Sequence, residues 1–205
     1  MTQSPELSQS FQNAIAEHLS AVKAIAGQGA VLEQIAIEMT RAILAGNKVL
    51  WCGNGGSAAD SQHLAAELMG RFRRERRALP SIALTTNTSN LTAIGNDYGF
   101  ERVFQRQVEA LCARGDVVVG LSTSGNSKNV CAALETAKTK GAFTVAFTGE
   151  DSGALGKIAD ATLRVPSKST ERVQEGHILC GHMLCEWVER VVCERDSAGK
   201  QDGEG

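Results

Sequence analysis

Beyond residue 47 the chain alternates short apolar runs with longer segments of helical periodicity, and no other feature constrains the fold as strongly. Strands that alternate with helices form parallel sheets joined by right-handed crossovers. The predicted strands are KVLWC at 48–52, SIALTT at 81–86, DVVVGLS at 116–122, FTVAFTG at 143–149 and ATLRVP at 161–166. The predicted helices between and after them cover about 57–71, 100–113, 127–140 and 170–194.

Five such strands predict an α/β fold, a flavodoxin-like doubly wound parallel sheet with strand order 2-1-3-4-5. Two helical patterns precede the sheet, at about 9–26 and 28–45, and the long helix ends the fold. A length of 205 residues fits one domain, predicted over 1–196. Residues 1–8 are expected to be frayed, and the polar, Gly-rich tail 197–205 to be disordered.

The charge and cysteine patterns exclude several classes of protein. A net charge of -2 gives no bulk attraction to nucleic acid or to an anionic membrane, and no apolar stretch approaches a membrane span. The basic run 71–77 is interpreted as a solvated helix end, with Arg71 as the exception nearest the site. Six cysteines without disulfide or zinc spacing, and a polar N-terminus without a signal peptide, predict a cytoplasmic protein.

The first predicted strand runs into a glycine-rich loop, CGNGGSAAD at 52–60. Gly53, Gly55 and Gly56 allow a sharp turn and close approach to a ligand, and Ser57 is expected to cap the next helix. The free N–H groups at that helix start form an anion site. The alternative is a turn that only connects a strand to a helix.

The third predicted strand runs into a loop rich in hydroxyls, STSGNS at 122–127. Ser122, Thr123, Ser124 and Ser127 lie at the start of a helix, a combination that suits a phosphate monoester. The alternative is a Ser-rich cap and turn. The GxxxxGK[ST] pattern is absent here, so no nucleotide cofactor is expected.

Two helices carry polar pairs at helical spacing. His63 and Glu67 lie one turn apart on one face, and Gln174 and His182 lie within roughly 80° of each other about the helix axis. Glu175 and His177 point away from this line and are interpreted as structural or surface groups. An exposed helix pair without function is the alternative for His63 and Glu67.

Together these residues resemble the bacterial phosphoheptose isomerases of the sugar isomerase (SIS) domain group. The resemblance covers roughly residues 10–194, so the single domain is interpreted as a SIS domain. The STSGNS loop is typical of the whole group, whereas the combination with the other motifs is narrower. The matching segments are CGNGGSAADSQH at 52–63, ALTTNTSNLTAIGNDYGFERVF at 83–104, GDVVVGLSTSGNSKNV at 115–130 and RVQEGHILCGH at 172–182.

The resemblance implies a homotetramer with active sites at subunit interfaces. It implies conversion of sedoheptulose 7-phosphate to D-glycero-D-manno-heptose 7-phosphate through an enediol, for heptose and lipopolysaccharide precursors. Glu67 would be the base and His182 its acid partner. A zinc site reported in some members would be lined by His63, Glu67, Gln174 and His182. The implied substrate contacts are Asn54, Gly55, Gly56, Ser57, Arg71, Asn96, Asp97, Ser122, Thr123, Ser124, Ser127 and Gln174.

Two other functions remain open at this point. A relative of these isomerases keeps the SIS fold but binds the bacterial replication initiator, and it lacks residues equivalent to Glu67 and His182. This chain has both residues, which favours the isomerase. An isomerase or sensor for another sugar phosphate is the second alternative, since phosphate binding and enediol chemistry suit many sugars.

Overall fold

The computed structural model describes residues 5–201, with the side chains of residues 6–198. The five strands lie within three residues of their predicted bounds: β1 Val49–Gly53, β2 Ser81–Ala83, β3 Val117–Leu121, β4 Phe143–Thr148 and β5 Ala161–Arg164. The helices are α1 Pro5–Ile25, α2 Gly29–Leu44, α3 Gly56–Met69, α4 Thr88–Tyr98, α5 Gln105–Leu111, α6 Lys128–Thr139, α7 Leu155–Ile158 and α8 Thr170–Gln201.

The strands form one parallel sheet in the order β2-β1-β3-β4-β5, which confirms the predicted doubly wound topology. The register pairs Cys52 with Gly120 and Gly53 with Leu121. The carboxyl ends of β1 and β3 are therefore level with each other. The chain reverses its strand order at this point, and such crevices bind ligands in open α/β sheets.

Helices cover both faces of the sheet and define two apolar clusters. On one face α2, α3 and α8 pack on the strands, with α1 lying on α8, and on the other face α5, α6 and α7 pack on them. Aromatic side chains make up only 4% of the chain, so aliphatic residues dominate both clusters. Trp51 is the largest fully buried side chain, and its indole N–H donates to Ser81 Oγ at 2.9 Å.

The described helix ends extend beyond the predicted ones at both termini. Helix α1 is described from Pro5, inside the segment 1–8 that was expected to be frayed. Helix α8 continues to Gln201 into the expected disordered tail, and Ser197 Oγ donates to the Cys193 carbonyl within it. Residues 1–4 and 202–205 lie outside the described part of the chain.

Helix α4 has no counterpart in the sequence prediction, because none of its residues is buried and the helical apolar periodicity is weak. It is started locally, where the Asn87 side chain caps it by accepting from the Asn90 N–H at 3.0 Å. The helix predicted over 100–113 is divided into a 3-10 turn at Phe100–Arg102 and helix α5. Among the described helices none is both long and apolar enough to cross a bilayer.

Helices α3 and α8 run parallel and very close together. A side chain at Gly181 would place its Cβ 2.4 Å from Leu64 Cδ1, and one at Gly56 would clash with the Gln174 amide. The approach at Gly181 matters for the site, because the next residue is His182 and the neighbour of Leu64 is His63. A glycine thus brings two histidines from distant parts of the chain together.

We expect Gly181→Ala to lower the free energy of unfolding by about 1–3 kcal/mol through overpacking against Leu64. The helix propensity gain of about 1 kcal/mol offsets this only in part. Denaturant unfolding measures the change. Gly29→Ala is the matched control, because its Cβ would meet nothing within 4 Å. Equal stability of the two variants would contradict the close-approach argument.

Candidate active site

The two loops that follow β1 and β3 are joined by a reciprocal pair of amides. Asn54 Nδ2 donates to Asn129 Oδ1 at 2.9 Å, and Asn129 Nδ2 donates back to Asn54 Oδ1 at 2.9 Å. Asn129 is 4% exposed and also accepts from the Val130 N–H at 3.0 Å. The pair therefore holds the glycine-rich loop and the start of α6 in one fixed arrangement.

The glycine-rich loop turns at Gly55, whose φ of +54° is accessible mainly to glycine. This turn starts α3 at Gly56, one residue before the predicted cap. Ser57 is consequently inside the helix and buried, so the expectation that it caps the helix is wrong. The first N–H groups of a helix have no carbonyl partner within it, so those of Gly56 and Ser57 are available to a ligand.

The hydroxyls of the second loop converge at the start of α6. Ser122 Oγ lies 2.8 Å from Ser127 Oγ and 3.4 Å from Ser124 Oγ, so three of the four predicted hydroxyls form one group. Ser127 is the N-cap residue of α6, yet its side chain makes no capping bond. The first N–H groups of α6 and these hydroxyls can therefore bind one anion.

The loop at 122–127, which we call the hydroxyl loop, is fixed by backbone hydrogen bonds and borders a cavity. Gly125 has a φ of +68°, its N–H bonds to the Ser122 carbonyl, and its own carbonyl accepts from Leu155 N at 2.9 Å. A cavity of about 260 Å³ lies beside Thr123 and Ser124. Lys168 lines the same cavity and adds a cation, together with the carboxylates of Glu150 and Asp151.

A second polar group lies where α3 and α8 meet. His63 Nε2 is 3.1 Å from Glu67 Oε1 and 2.9 Å from His182 Nε2. The two imidazole rings meet edge to face, with centroids 5.1 Å apart. We call His63, Glu67 and His182 the His–Glu cluster. It is partly open to solvent, since the His63 side chain is 51% exposed.

The His–Glu cluster has the donor atoms of a metal site. One ligand atom from each residue lies within 4.8 Å of the other two. Tetrahedral zinc with bonds of 2.0–2.1 Å holds its ligand atoms about 3.3 Å apart, close to the separations of 2.9 and 3.1 Å seen here. Burial and then the neighbouring His63 lower the pKa of His182, against the opposing effect of Glu67. A neutral imidazole is the form that binds metal.

Gln174 contacts the glycine-rich loop, and its role as a metal ligand stays a prediction. Eight residues of α8 correspond to about 12 Å along the helix axis, so a shared angular position does not bring Gln174 to His182. The Gln174 amide lies instead against Gly56, beside the glycine-rich loop. The angular argument considered only rotation about the axis of α8 and not the distance along it.

Three predicted substrate contacts are exposed in the described part of the single chain and make only local side-chain contacts there. Asn96 and Asp97 are exposed on α4, where Asn96 Nδ2 donates to Asp97 Oδ1 at 2.8 Å. The Arg71 side chain is 62% exposed, and its Nε lies 3.9 Å from Glu75 Oε2. All three side chains are exposed to solvent.

Sequence reasoning missed several residues that contact or border the site. Asn129 was missed although its amide completes the loop pair, and Asp60 was missed although it lies one turn before His63 on α3. The Asp60 Oδ2 atom is buried without a hydrogen-bond partner, and burial raises the pKa of Asp60 to about 6 despite the nearby His63. The one available signal was helical spacing, which puts Asp60 on the face of His63 and Glu67.

The basic run 71–77 also differs from its interpretation. Most of its charged side chains are exposed as expected, but the Arg76 side chain is only 1% exposed and pairs with Glu189 at 3.1 Å. Phe72 stacks on His182 with ring centroids 5.6 Å apart. Neither contact is visible in the sequence, because each partner lies more than 100 residues away along the chain.

Comparison with known proteins places these features in context. The sequence profile of the SIS domain matches residues 10–149. The phosphoheptose isomerase of Aquifex aeolicus is 64% identical over 150 residues, 73% of this chain and 78% of that protein. The phosphoheptose isomerase of a Geobacter species is 56% identical over 176 residues, 85% of this chain and 92% of that protein.

Solved structures give the same result. The phosphoheptose isomerase of Neisseria gonorrhoeae superposes with a TM-score of 0.84 at 42% sequence identity, over 90% of this chain and 99% of that chain. Both the fold and the sequence of this chain are therefore similar to those of phosphoheptose isomerases over most of their length.

We expect Asn129→Ala to lower the free energy of unfolding by about 1–3 kcal/mol, because the Asn54 amide loses its partner in a partly buried position. Anion binding at the hydroxyl loop should weaken as well. Urea unfolding and phosphate titration measure the two effects. Asn13→Ala, on the exposed surface of α1, serves as the control and should change stability by less than about 0.5 kcal/mol. An unchanged Asn129→Ala protein would show that the amide pair does not hold the loops.

Proposed function

The chain belongs to the phosphoheptose isomerases of the SIS domain family, and we propose that its His–Glu cluster and hydroxyl loop carry out the reaction. It is an aldose-ketose isomerase that converts sedoheptulose 7-phosphate to D-glycero-D-manno-heptose 7-phosphate, a precursor for heptose synthesis. The observation that carries the residue assignment is the meeting of Glu67 with two imidazoles, level with each other on α3 and α8.

The reaction moves a proton from C1 to C2 of the sugar through an enediol. We assign Glu67 as the base that takes the C1 proton and returns it to C2. His182 donates a proton to the C2 carbonyl oxygen and accepts one from the C1 hydroxyl. A carboxylate and an imidazole are a common pair for this chemistry. His63 Nε2 lies 3.1 Å from Glu67 Oε1 and 2.9 Å from His182 Nε2, which supports this arrangement because it places the carboxylate and the imidazole beside each other.

Binding of the phosphate is assigned to the other group of polar residues. Ser122, Thr123, Ser124 and Ser127 supply hydroxyls, and the N-terminus of α6 supplies N–H groups and its dipole. Asn54, Gly55, Gly56, Ser57 and Gln174 are assigned to the sugar, since the first three belong to the glycine-rich loop and the Gln174 amide lies against Gly56. Contacts at the phosphate end provide binding energy remote from C1 and C2, which orients those carbons toward the base.

Zinc is the metal that the His–Glu cluster suits best. Two imidazole nitrogens and one carboxylate oxygen are typical zinc ligands and leave a fourth position open. Bound there, zinc would polarise the substrate carbonyl as a Lewis acid. It would also compete with substrate for the Glu67 carboxylate, so activity must be compared with metal content.

We further propose a homotetramer with shared active sites. An apolar stripe runs along α1 at four-residue spacing, with side chains 51–61% exposed: Leu7, Phe11, Ile15 and Leu19. A groove of about 340 Å³ between α2 and α8 is lined by Leu32, Ala36, Met183, Leu184 and Trp187. Such faces support burial against further copies. Asn96, Asp97 and Arg71 are then available to complete a neighbouring site.

A reducing, cytoplasmic setting is also proposed. All six cysteines are free, and burial raises the pKa of the Cys52, Cys180 and Cys185 thiols to about 12. Such thiols pack as small apolar groups and are unreactive. Cell fractionation that recovers the protein from the periplasm would contradict this setting.

Glu67→Gln tests the assignment of the base. It keeps the shape of the side chain but removes its charge, so turnover of sedoheptulose 7-phosphate should fall about 10²–10⁴-fold with little change in substrate binding. Product formation and metal content are measured on the same samples. Near-normal turnover with metal still bound would make Glu67 structural. No turnover by the unaltered protein, with or without zinc, together with binding to the replication initiator, would overturn the proposed function.

Ser124→Ala is the contrasting variant. It removes one hydroxyl from the phosphate group and should weaken substrate binding by about 0.5–1.5 kcal/mol, somewhat more for a charged partner, while kcat changes little. The KM and kcat values of the two variants are compared side by side. A Ser124→Ala protein with normal KM and reduced kcat would remove the hydroxyl loop from the assigned phosphate site.

The apolar stripe gives a test of assembly. The double variant Phe11→Glu, Ile15→Glu places two charges on the stripe and should dissociate the tetramer with loss of activity, because buried unpaired charges are costly. Light scattering and activity assays are performed at the same concentration. The control Gln9→Glu, Asn13→Glu has the same spacing on an exposed polar face of α1. A fully active monomer would contradict the shared-site proposal.

A further inference from the structure

The segment that follows α3 is held by a single buried carboxylate. Three successive backbone N–H groups, those of Phe72, Arg73 and Arg74, donate to the Glu189 side chain at 2.8, 2.7 and 3.0 Å. Glu189 lies on α8 and its side chain is 1% exposed. Burial opposes its charge, but these N–H groups and Arg76 hold the pKa of Glu189 below its usual value. The carboxylate therefore stays ionised and keeps the segment in one conformation.

Arg76 connects this carboxylate to the end of α3. Its Nε donates to Glu189 Oε1 at 3.1 Å, and its Nη1 atom donates to the carbonyls of Leu68 and Gly70 at 3.0 Å each. Its Nη2 atom donates to the Glu67 carbonyl at 2.9 Å. The guanidinium thus satisfies two carbonyls in the last turn of α3, including that of the assigned base.

Phe72 extends from this fixed segment onto the His–Glu cluster. Its ring stacks on the His182 imidazole with centroids 5.6 Å apart and planes inclined by 29°. The His182 ring also forms a T-shaped pair with the His63 ring, with centroids 5.1 Å apart. The guanidinium of Arg73 lies 5.4 Å from the Phe72 ring centre and covers it further. His182 is therefore confined between an aromatic face and a second imidazole.

We propose that Phe72 is a positioning residue, which sets the orientation of the His182 imidazole and is itself held in place by the Glu189–Arg76 pair. The inference rests on the proposed function, because it takes His182 as the acid partner. Phe72 acts through His182 and needs no contact with the substrate. Its role is to restrict rotation of the imidazole so that Nε2 stays directed toward His63 and Glu67.

The variants Phe72→Leu and Phe72→Tyr together test whether the aromatic ring itself is needed, since only the tyrosine keeps it. Phe72→Leu removes the stacking face, and we expect kcat for sedoheptulose 7-phosphate to fall about 10–100-fold, as small misplacements of catalytic groups do. KM should stay within about twofold, because the phosphate is bound by a different loop. Phe72→Tyr keeps the ring and should retain kcat within about twofold. Phe72→Met replaces Phe72→Leu if the leucine variant does not fold.

A readout independent of turnover is the NMR spectrum of ¹³C-histidine-labelled protein. The chain has four histidines, and a His182→Asn variant identifies the His182 signals. In Phe72→Leu the His182 ring signals should shift and broaden, since the aromatic ring current and the confinement are lost, while those of His177 should not. An unaltered enzyme without activity would refute the proposed function, and the spectra would still decide the position of the ring.

Three results would overturn the inference. One is a Phe72→Leu protein with kcat within twofold of the unaltered enzyme. Another is an equal loss of kcat in Phe72→Tyr, since tyrosine keeps the stacking face. The third is His182 signals that do not move in Phe72→Leu. A raised KM with unchanged kcat would instead make Phe72 a substrate contact.

Discussion

The parallel packing of α3 against α8 is the constraint on which the His–Glu cluster depends. The cluster draws His63 and Glu67 from one helix and His182 from the other, 119 residues further along the chain. The glycine at 181 permits the close approach, and Glu189 with Arg76 fixes the far end of the contact. A change in the spacing of these helices would separate the imidazoles, because each histidine belongs to one of the two helices.

The sheet arranges the binding groups by a different principle. The level ends of β1 and β3 place two unlike loops side by side, one rich in glycine and one rich in hydroxyls. Neither loop supplies a residue of the His–Glu cluster. Binding of the phosphate and proton transfer are thus assigned to separate elements, so a substitution in one group can change affinity without changing chemistry.

The parts of the fold and site that the sequence predicted are those determined by local pattern. Apolar runs located all five strands, and their alternation with helices predicted the doubly wound strand order. Glycine and hydroxyl motifs located both loops. Helix α4 was missed because it buries no residue, and Arg76 because its partner Glu189 is remote in sequence. The prediction for Gln174 used only its angle about the helix axis, and this angle gives no information on distance along the axis. Contacts between distant segments required the structure.

The reciprocal amide pair between Asn54 and Asn129 has a consequence for the behaviour of the enzyme in solution. Neither side chain gains or loses a proton in the range where the chain is folded, so the link between the two loops does not respond to acidity or to salt as an ion pair would. The shape of the sugar crevice should accordingly stay constant while the imidazoles and carboxylates titrate. A pH–rate curve for this enzyme would then describe its proton-transfer groups, undistorted by movement of its binding loops.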